Sequence, residues 1–212
     1  MLTVVIPALN EERDVAAAVR SAFEAGAAEV IVVDGGSADA TVALARDAGA
    51  RVLASEPMRA KQLNLGVRNA SHDAILFLHA DTLLPPGAAE AVLASGTPFG
   101  GFRIAFFERS WKLRIAALLI NLRTRITKQP WGDQAQFVKR DAFPGFREIP
   151  IMEDYELART MRPRTILPLT VRTSGRRFLA KGLLCTAWIN WRTIVQYRRG
   201  ADPAELARRY RK

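Results

Sequence analysis

Through the first hundred residues, short apolar runs rich in β-branched side chains alternate with alanine-rich stretches of helical period. Residues 2–6 read as a first strand that Pro7 ends, and Asn10 as the cap of a helix over 11–24. A second strand follows at 30–33. Ser37 and Asp39 then supply a cap and an acidic first turn for a helix running to Asp47. Residues 51–53 form a short third strand, 59–69 a helix, and 74–78 a buried central strand. Strand and helix in strict alternation predict the α/β class: an open, mostly parallel sheet flanked by helices, with crossover connections.

After Pro98 the rhythm changes. Residues 99–107 and 135–138 read as strands, and 110–126 as a basic amphipathic helix; turns and prolines fill 144–150. Helical period returns at 154–161 and 178–197, with a last arginine-rich helix after Pro203. No internal repeat or low-complexity linker divides the chain, so one domain over 1–212 is expected, with halves at 1–98 and 99–212. Charge separates the same halves. Residues 1–100 carry 7 Lys+Arg against 12 Asp+Glu, net −5, and residues 101–212 carry 24 against 9, net +15.

A basic half fits nucleic acid, an anionic leaflet or a phosphate-bearing substrate equally well by charge alone. Cys185 is the only cysteine, and the opening residues lack the basic stretch and cleavage pattern of a secretory signal, so a reducing, cytoplasmic setting is expected. No run approaches the ~18 apolar residues of a spanning helix. Residues 111–122 and 182–191 are the longest apolar stretches, each bearing tryptophan and bounded or broken by Lys and Arg. Two readings stand for them: helices lying on the inner face of a membrane, or core-facing helices. A homodimer contact would use them equally well.

In an open parallel sheet, ligands sit outside the carboxyl ends of the strands. Three polar sets occupy such ends: Pro7 to Glu12, Asp34 to Asp39, and His79 to Thr82. Each alone has a structural explanation in caps and turns, but all three converge on one edge. Asp34 is placed to accept hydrogen bonds from a ribose or base. Neither glycine-rich phosphate loop is present, and the usual substitute is a divalent cation held by oxygen ligands, with basic side chains beside it. Asp81 is the carboxylate best placed to hold it.

The runs 4–12 (VVIPALNEE), 32–41 (VVDGGSADAT) and 78–82 (LHADT) resemble glycosyltransferase family 2, and the likeness continues through Gly132-Asp133-Gln134, 152–156 (MEDYE) and 174–178 (SGRRF). It is strongest to small, soluble bacterial members. The resemblance implies the GT-A fold and inverting transfer of a sugar from a nucleoside-diphosphate sugar, with Mn2+ or Mg2+. It implies that Pro7, Glu11 and Asp34 line the nucleotide, that His79 either lines the ribose pocket or is a second metal ligand, that Asp81 holds the metal, and that Asp154 of the Glu153-Asp154 pair is the base. Arg176 and Arg177, with Lys61 or Arg59, are expected to offset the charge of the leaving diphosphate. Asp133, Gln134 and Glu153 are expected to contact the sugar or acceptor. The usual Asp-x-Asp is reduced to His79-Ala80-Asp81, and the Gln-x-x-Arg-Trp of processive synthases to SGRRF at 174–178, which argues against a polymerase.

Two other readings compete. A nucleotidyltransferase would carry a glycine- and arginine-rich loop after the first strand, where this chain has Ala8-Leu9-Asn10-Glu11. A basic nucleic-acid module accounts for the +15 half, but no nucleic-acid motif or aromatic stacking pattern appears. The basic half instead suggests an anionic or lipid-linked acceptor at a membrane surface.

Overall fold

A computed structural model describes residues 1–211. The first half runs β1 (Leu2–Ala8), α1 (Val15–Glu24), β2 (Glu29–Asp34), α2 (Thr41–Asp47), β3 (Arg51–Ala54), α3 (Arg59–Asn69), β4 (Ala74–Phe77), β5 (Thr82–Leu83) and α4 (Ala88–Ala94). The second runs β6 (Phe99–Phe106), α5 (Trp111–Thr127), β7 (Phe137–Lys139), α6 (Glu153–Thr160), β8 (Thr165–Thr173), α7 (Arg176–Lys181), α8 (Leu183–Arg198) and α9 (Pro203–Arg211). Single 3-10 turns occupy Gly132–Gln134 and Arg140–Ala142.

These strands share one sheet in the order β3, β2, β1, β4, β7, β6, β8, β5. The first four pair in parallel. β7 then runs antiparallel to both β4 and β6, β8 lies parallel to β6, and β5 closes the edge antiparallel to β8. The expected α/β architecture is present, with an antiparallel strand joining its two halves.

Burial on both faces explains why the first strands read as nearly continuous apolar runs. Val4 and Ile6 of β1 pack with Val15, Ala18 and Val19 of α1, whereas Val5 packs on the other side with Ile31, Ile75 and Leu63 of α3. A Cβ on Gly66 would lie 2.3 Å from Val5 Cγ1, so α3 reaches the sheet only because that position has no side chain.

Several elements depart from expectation. Helix α1 begins at Val15 rather than 11, because Asn10 takes a left-handed backbone (φ 55) and bonds across to the next loop instead of capping. Its Oδ1 accepts from the Ala38 N–H at 2.9 Å, and its own N–H donates to Ser37 Oγ at 2.8 Å. Ser37 is thereby committed to Asn10 and Asp34, and α2 starts at Thr41. The single helix expected over 178–197 is broken at Gly182 (φ 82) into α7 and α8. Strand β8 has no counterpart in the sequence reading; Pro168 interrupts its apolar pattern, and the register shift beside Gly101 and Arg103 absorbs it.

Candidate functional site

The carboxyl ends of β1, β2 and β4 open onto one edge of the sheet, and two clusters of charged side chains form there. His79 and Asp81, two residues apart after β4, belong to one each.

The first cluster is acidic. Glu11 follows β1 with its N–H bonded to Thr41 Oγ1 at 2.7 Å. Burial raises the Glu11 carboxyl above its ordinary range, and the Asp81 charge raises it further, against the opposing pull of Arg176. Asp81 is likewise raised by burial, with Arg176 lowering it and Asp14 raising it. Arg176, at the start of α7, sets Nη2 at 2.7 Å from Asp14 Oδ2 and 3.7 Å from Asp81 Oδ2. Like charges held together with one guanidinium against them favour a cation.

Among the described residues no three His, Cys, Asp or Glu side chains are grouped to hold a metal unaided. Hard cations such as Mg2+ and Mn2+ are commonly bound by one or two carboxylates with phosphate oxygens completing the shell, and the oxygen donors of Asp81 and Glu11 fit that requirement.

The second cluster surrounds Asp154 in the first turn of α6. Pro7, Arg59, His79, Gly132, Gln136 and Asp154 line one pit. Asp154 Oδ2 accepts from the Gly132 N–H at 2.7 Å, and its Oδ1 from the Tyr155 N–H at 2.8 Å. Arg59, the first residue of α3, forms ion pairs to Glu153 Oε1 at 2.5 Å and to Asp154 Oδ2 at 3.3 Å. Burial would raise Asp154, but Arg59 and the two backbone N–H groups outweigh it and hold the carboxyl below its ordinary range. Glu153 goes the other way: burial raises it despite Arg59.

His79 Nε2 lies 3.1 Å from Arg59 Nη1. Arginine only donates, so Nε2 accepts and the proton sits on Nδ1. Burial, then the Arg59 charge, lowers the His79 pKa to about 3, so the imidazole is neutral at physiological pH. A Cβ on Gly132 would fall 2.5 Å from Arg59 Nη2, 2.8 Å from Asp154 Oδ2 and 3.0 Å from His79 Nε2. The glycine is what lets this loop close over the cluster.

Other residues singled out in the sequence lie outside these two clusters or are committed within them. Asp34, buried at the end of β2, is engaged by its own turn, accepting from the Gly36 N–H at 3.0 Å, the Ser37 N–H at 3.1 Å and the Ser37 hydroxyl at 2.5 Å. Lys61 pairs with Glu56 and does not line the pit, leaving Arg59 as the α3 cation that does. Arg177 turns from Asp81 toward the last helix, its guanidinium 3.7 Å from the Tyr210 ring centre and bonded to the Tyr210 hydroxyl. Asp133 is raised by burial, and its Oδ1 has no protein partner.

Gln134 is committed to the protein itself. It has no exposed surface, its Oε1 accepts from Arg123 at 2.9 Å, Thr124 at 2.9 Å and the Trp131 N–H at 3.2 Å, and its Nε2 donates to Phe102 O at 2.9 Å. It braces the loop against α5 and β6, with its hydrogen bonds turned inward. Arg123, whose guanidinium lies 3.4 Å from the Trp131 ring centre, was not singled out in the sequence, nor were Asp14, Gln136 and Tyr210. Gln136 fixes the same loop by donating to Pro130 O at 2.9 Å and Asp154 O at 3.0 Å.

Residues 3–95 match the family model described as Glycosyl transferase family 2. Curated proteins gave no match. Among solved structures, the S. aureus TarS fragment 1–349 is 15% identical, with a TM-score of 0.63 over 82% of this chain and 60% of that one. A mycobacterial protein is 20% identical, with a TM-score of 0.56 over 82% of this chain and 65% of that one. Glucosyl-3-phosphoglycerate synthase from M. tuberculosis, in complex with Mn2+, uridine diphosphate and glucosyl-3-phosphoglycerate, is 20% identical, with a TM-score of 0.54 over 85% of this chain and 75% of that one. The chain thus spans less than two thirds of the length of the first two. Residues 3–95 are thus similar to Glycosyl transferase family 2, and the chain shares the fold of these solved structures over more than four fifths of its length.

Proposed function

We propose that the chain transfers a sugar, with inversion, from a nucleoside-diphosphate sugar to an acceptor hydroxyl, residues 1–98 serving the donor and 99–212 the acceptor. The observation that carries this reading is the placement of the acidic cluster of Glu11, Asp14 and Asp81 beside a pit built around the Asp154 carboxylate. The first cluster suits a metal diphosphate, and the second suits deprotonation of a hydroxyl. The glucosyl-3-phosphoglycerate synthase neighbour, which binds Mn2+ and uridine diphosphate, supports the same donor chemistry.

Asp81, with Glu11 beside it, would hold a Mn2+ or Mg2+ ion, which supplies positive charge to the diphosphate when bound. Asp154 takes the proton from the acceptor hydroxyl as that oxygen bonds to the anomeric carbon. The bond from the anomeric carbon to the diphosphate oxygen breaks on the opposite face, and its electron pair leaves with the diphosphate. Arg176 adds charge stabilisation there. Arg59 orients Asp154 and keeps it ionised, and the neutral His79 offers an uncharged wall beside it. Pro7 and Asp34 line the nucleotide side, while Asp133 orients hydroxyls on the acceptor side. The acceptor hydroxyl, on this reading, is borne by a lipid or lipid-linked molecule at the inner face of a membrane, in keeping with the +15 half.

Release of nucleoside diphosphate from a panel of uridine and guanosine diphosphate sugars, with Mn2+ or Mg2+, tests the reaction. One donor should be turned over, and Asp154→Asn should lower turnover by about 10²–10⁴-fold while donor binding persists. Full turnover in Asp154→Asn would remove the assigned base.

A further inference from the structure

Helix α5 is apolar on two opposite faces. Leu113, Ala116 and Thr124 are buried, and Ile120 packs against the same core. Trp111, Ile115, Leu118, Leu122 and Ile126 fall at the helical spacing of the opposite face and are 67%, 41%, 67%, 50% and 74% exposed. A surface helix needs only one apolar stripe, so the second has no use within this fold. The same feature recurs on α8, which packs against α5. Leu184, Trp188 and Trp191, at the next helical spacing, are exposed at 83%, 58% and 55%, and the two indoles stack with centres 5.0 Å apart.

Charge selects the occupant of this surface. No Asp or Glu occurs from Arg109 to Gly132 or from Ser174 to Ala201, and each stretch carries six Lys or Arg. Lys112, Arg114 and Arg125 on α5, and Arg192 on α8, are exposed around the apolar stripes. A second copy related by a twofold axis would bring these cations against their own equivalents. Apolar stripes with tryptophan, rimmed by cations and free of acids, suit the interface of an anionic bilayer. No helix among the described residues is long and apolar enough to cross a membrane.

We infer that the outer faces of α5 and α8 dock the chain onto an anionic bilayer, indoles and aliphatic side chains entering the interface and the flanking cations meeting lipid phosphates. The inner face of α5 carries Arg123 and Thr124, bonded to the loop beside Asp133 and Asp154. Docking therefore leaves the loop on the acceptor side of the site one helix away from the membrane surface. This deepens the proposed function and rests on it only for the acceptor; the docking itself does not depend on the reaction.

The test is co-sedimentation of the full chain with phosphatidylcholine vesicles and with vesicles of phosphatidylcholine and phosphatidylglycerol. The chain should pellet with the mixed vesicles at low salt and be released as salt rises. Paired substitutions Trp188→Ser with Trp191→Ser, and Leu118→Ser with Leu122→Ser, should lower partitioning on the order of tenfold or more, given the apolar area each removes. Both pairs lie on exposed faces, so melting temperature and its shift with nucleotide should stay at the parent's values. Absence of pelleting at low salt, or pelleting that both variants retain, would overturn the inference. So would a dimer in light scattering that these substitutions dissociate, in a chain that ignores vesicles. A nucleotide shift lost from the parent while vesicle binding survives would count against the proposed reaction and leave docking intact.

Discussion

Asp154 is a carboxylate with both oxygens already engaged by N–H groups and a guanidinium beside it. As the proposed base, Asp154 in that setting would be weak but ionised at physiological pH, which suits a hydroxyl whose proton departs only as the glycosidic bond forms. The sign of its pH dependence follows. The Asp154 pKa is depressed, so its active, ionised form is present above that lowered value and lost only as pH falls through it. With metal and donor saturating, so that Glu11 and Asp81 are already engaged, the acid limb of kcat should therefore lie below the ordinary carboxylate range. Arg59→Met removes the charge that contributes most to the depression and should move that limb upward, whereas a purely structural role would lower activity without moving it; pH–rate profiles of the two proteins decide between them. That Asp81 follows a central strand and that Asp154 lies at the opening of a helix was legible in the sequence. Arg59 was weighed only beside Lys61, since two cations half a turn apart on α3 look alike until Glu56 claims one and Glu153 with Asp154 the other. That the hydrogen bonds of Gln134 turn inward was not legible, because Phe102, Arg123 and Thr124 lie apart from it in the sequence.

At the scale of elements, the parallel half was readable because each strand there is buried on both faces and each crossover helix repeats every turn. Strand β8 was hidden by Pro168, whose missing N–H is tolerated only where the register slips. The start of α1 was misplaced because Asn10 serves a loop-to-loop bond that depends on residues 37–38, far along the chain. Close approach of α3 to β1 has a cost that can be measured. Gly66→Ala would force its Cβ to within 2.3 Å of Val5 Cγ1, and the overpacking should destabilise the fold by about 1–3 kcal/mol in urea denaturation. Since α3 carries Arg59, the same variant should also lose activity beyond its loss of stability.

The whole molecule divides by charge as the sequence does. Its acidic half supplies Glu11, Asp14 and Asp81, and its basic half reaches back through Arg176 to meet them. Arg176 stands against carboxylates that a cation would otherwise neutralise, so on the proposed reading binding of metal and diphosphate should be mutually dependent. Charge asymmetry was visible in composition; that one arginine from residue 176 would close over the loop holding Asp14 was not, because it depends on how β8 and α7 return to β1.

The most direct test of the account is the melting temperature of the purified chain with uridine and guanosine diphosphates, each with and without Mn2+ or Mg2+. A ligand at about one hundred times its dissociation constant adds roughly 2.7 kcal/mol to stability. The account predicts a shift for one diphosphate that requires the metal and disappears in Asp81→Ala. A shift that is metal-independent, or that Asp81→Ala retains in full, would contradict it.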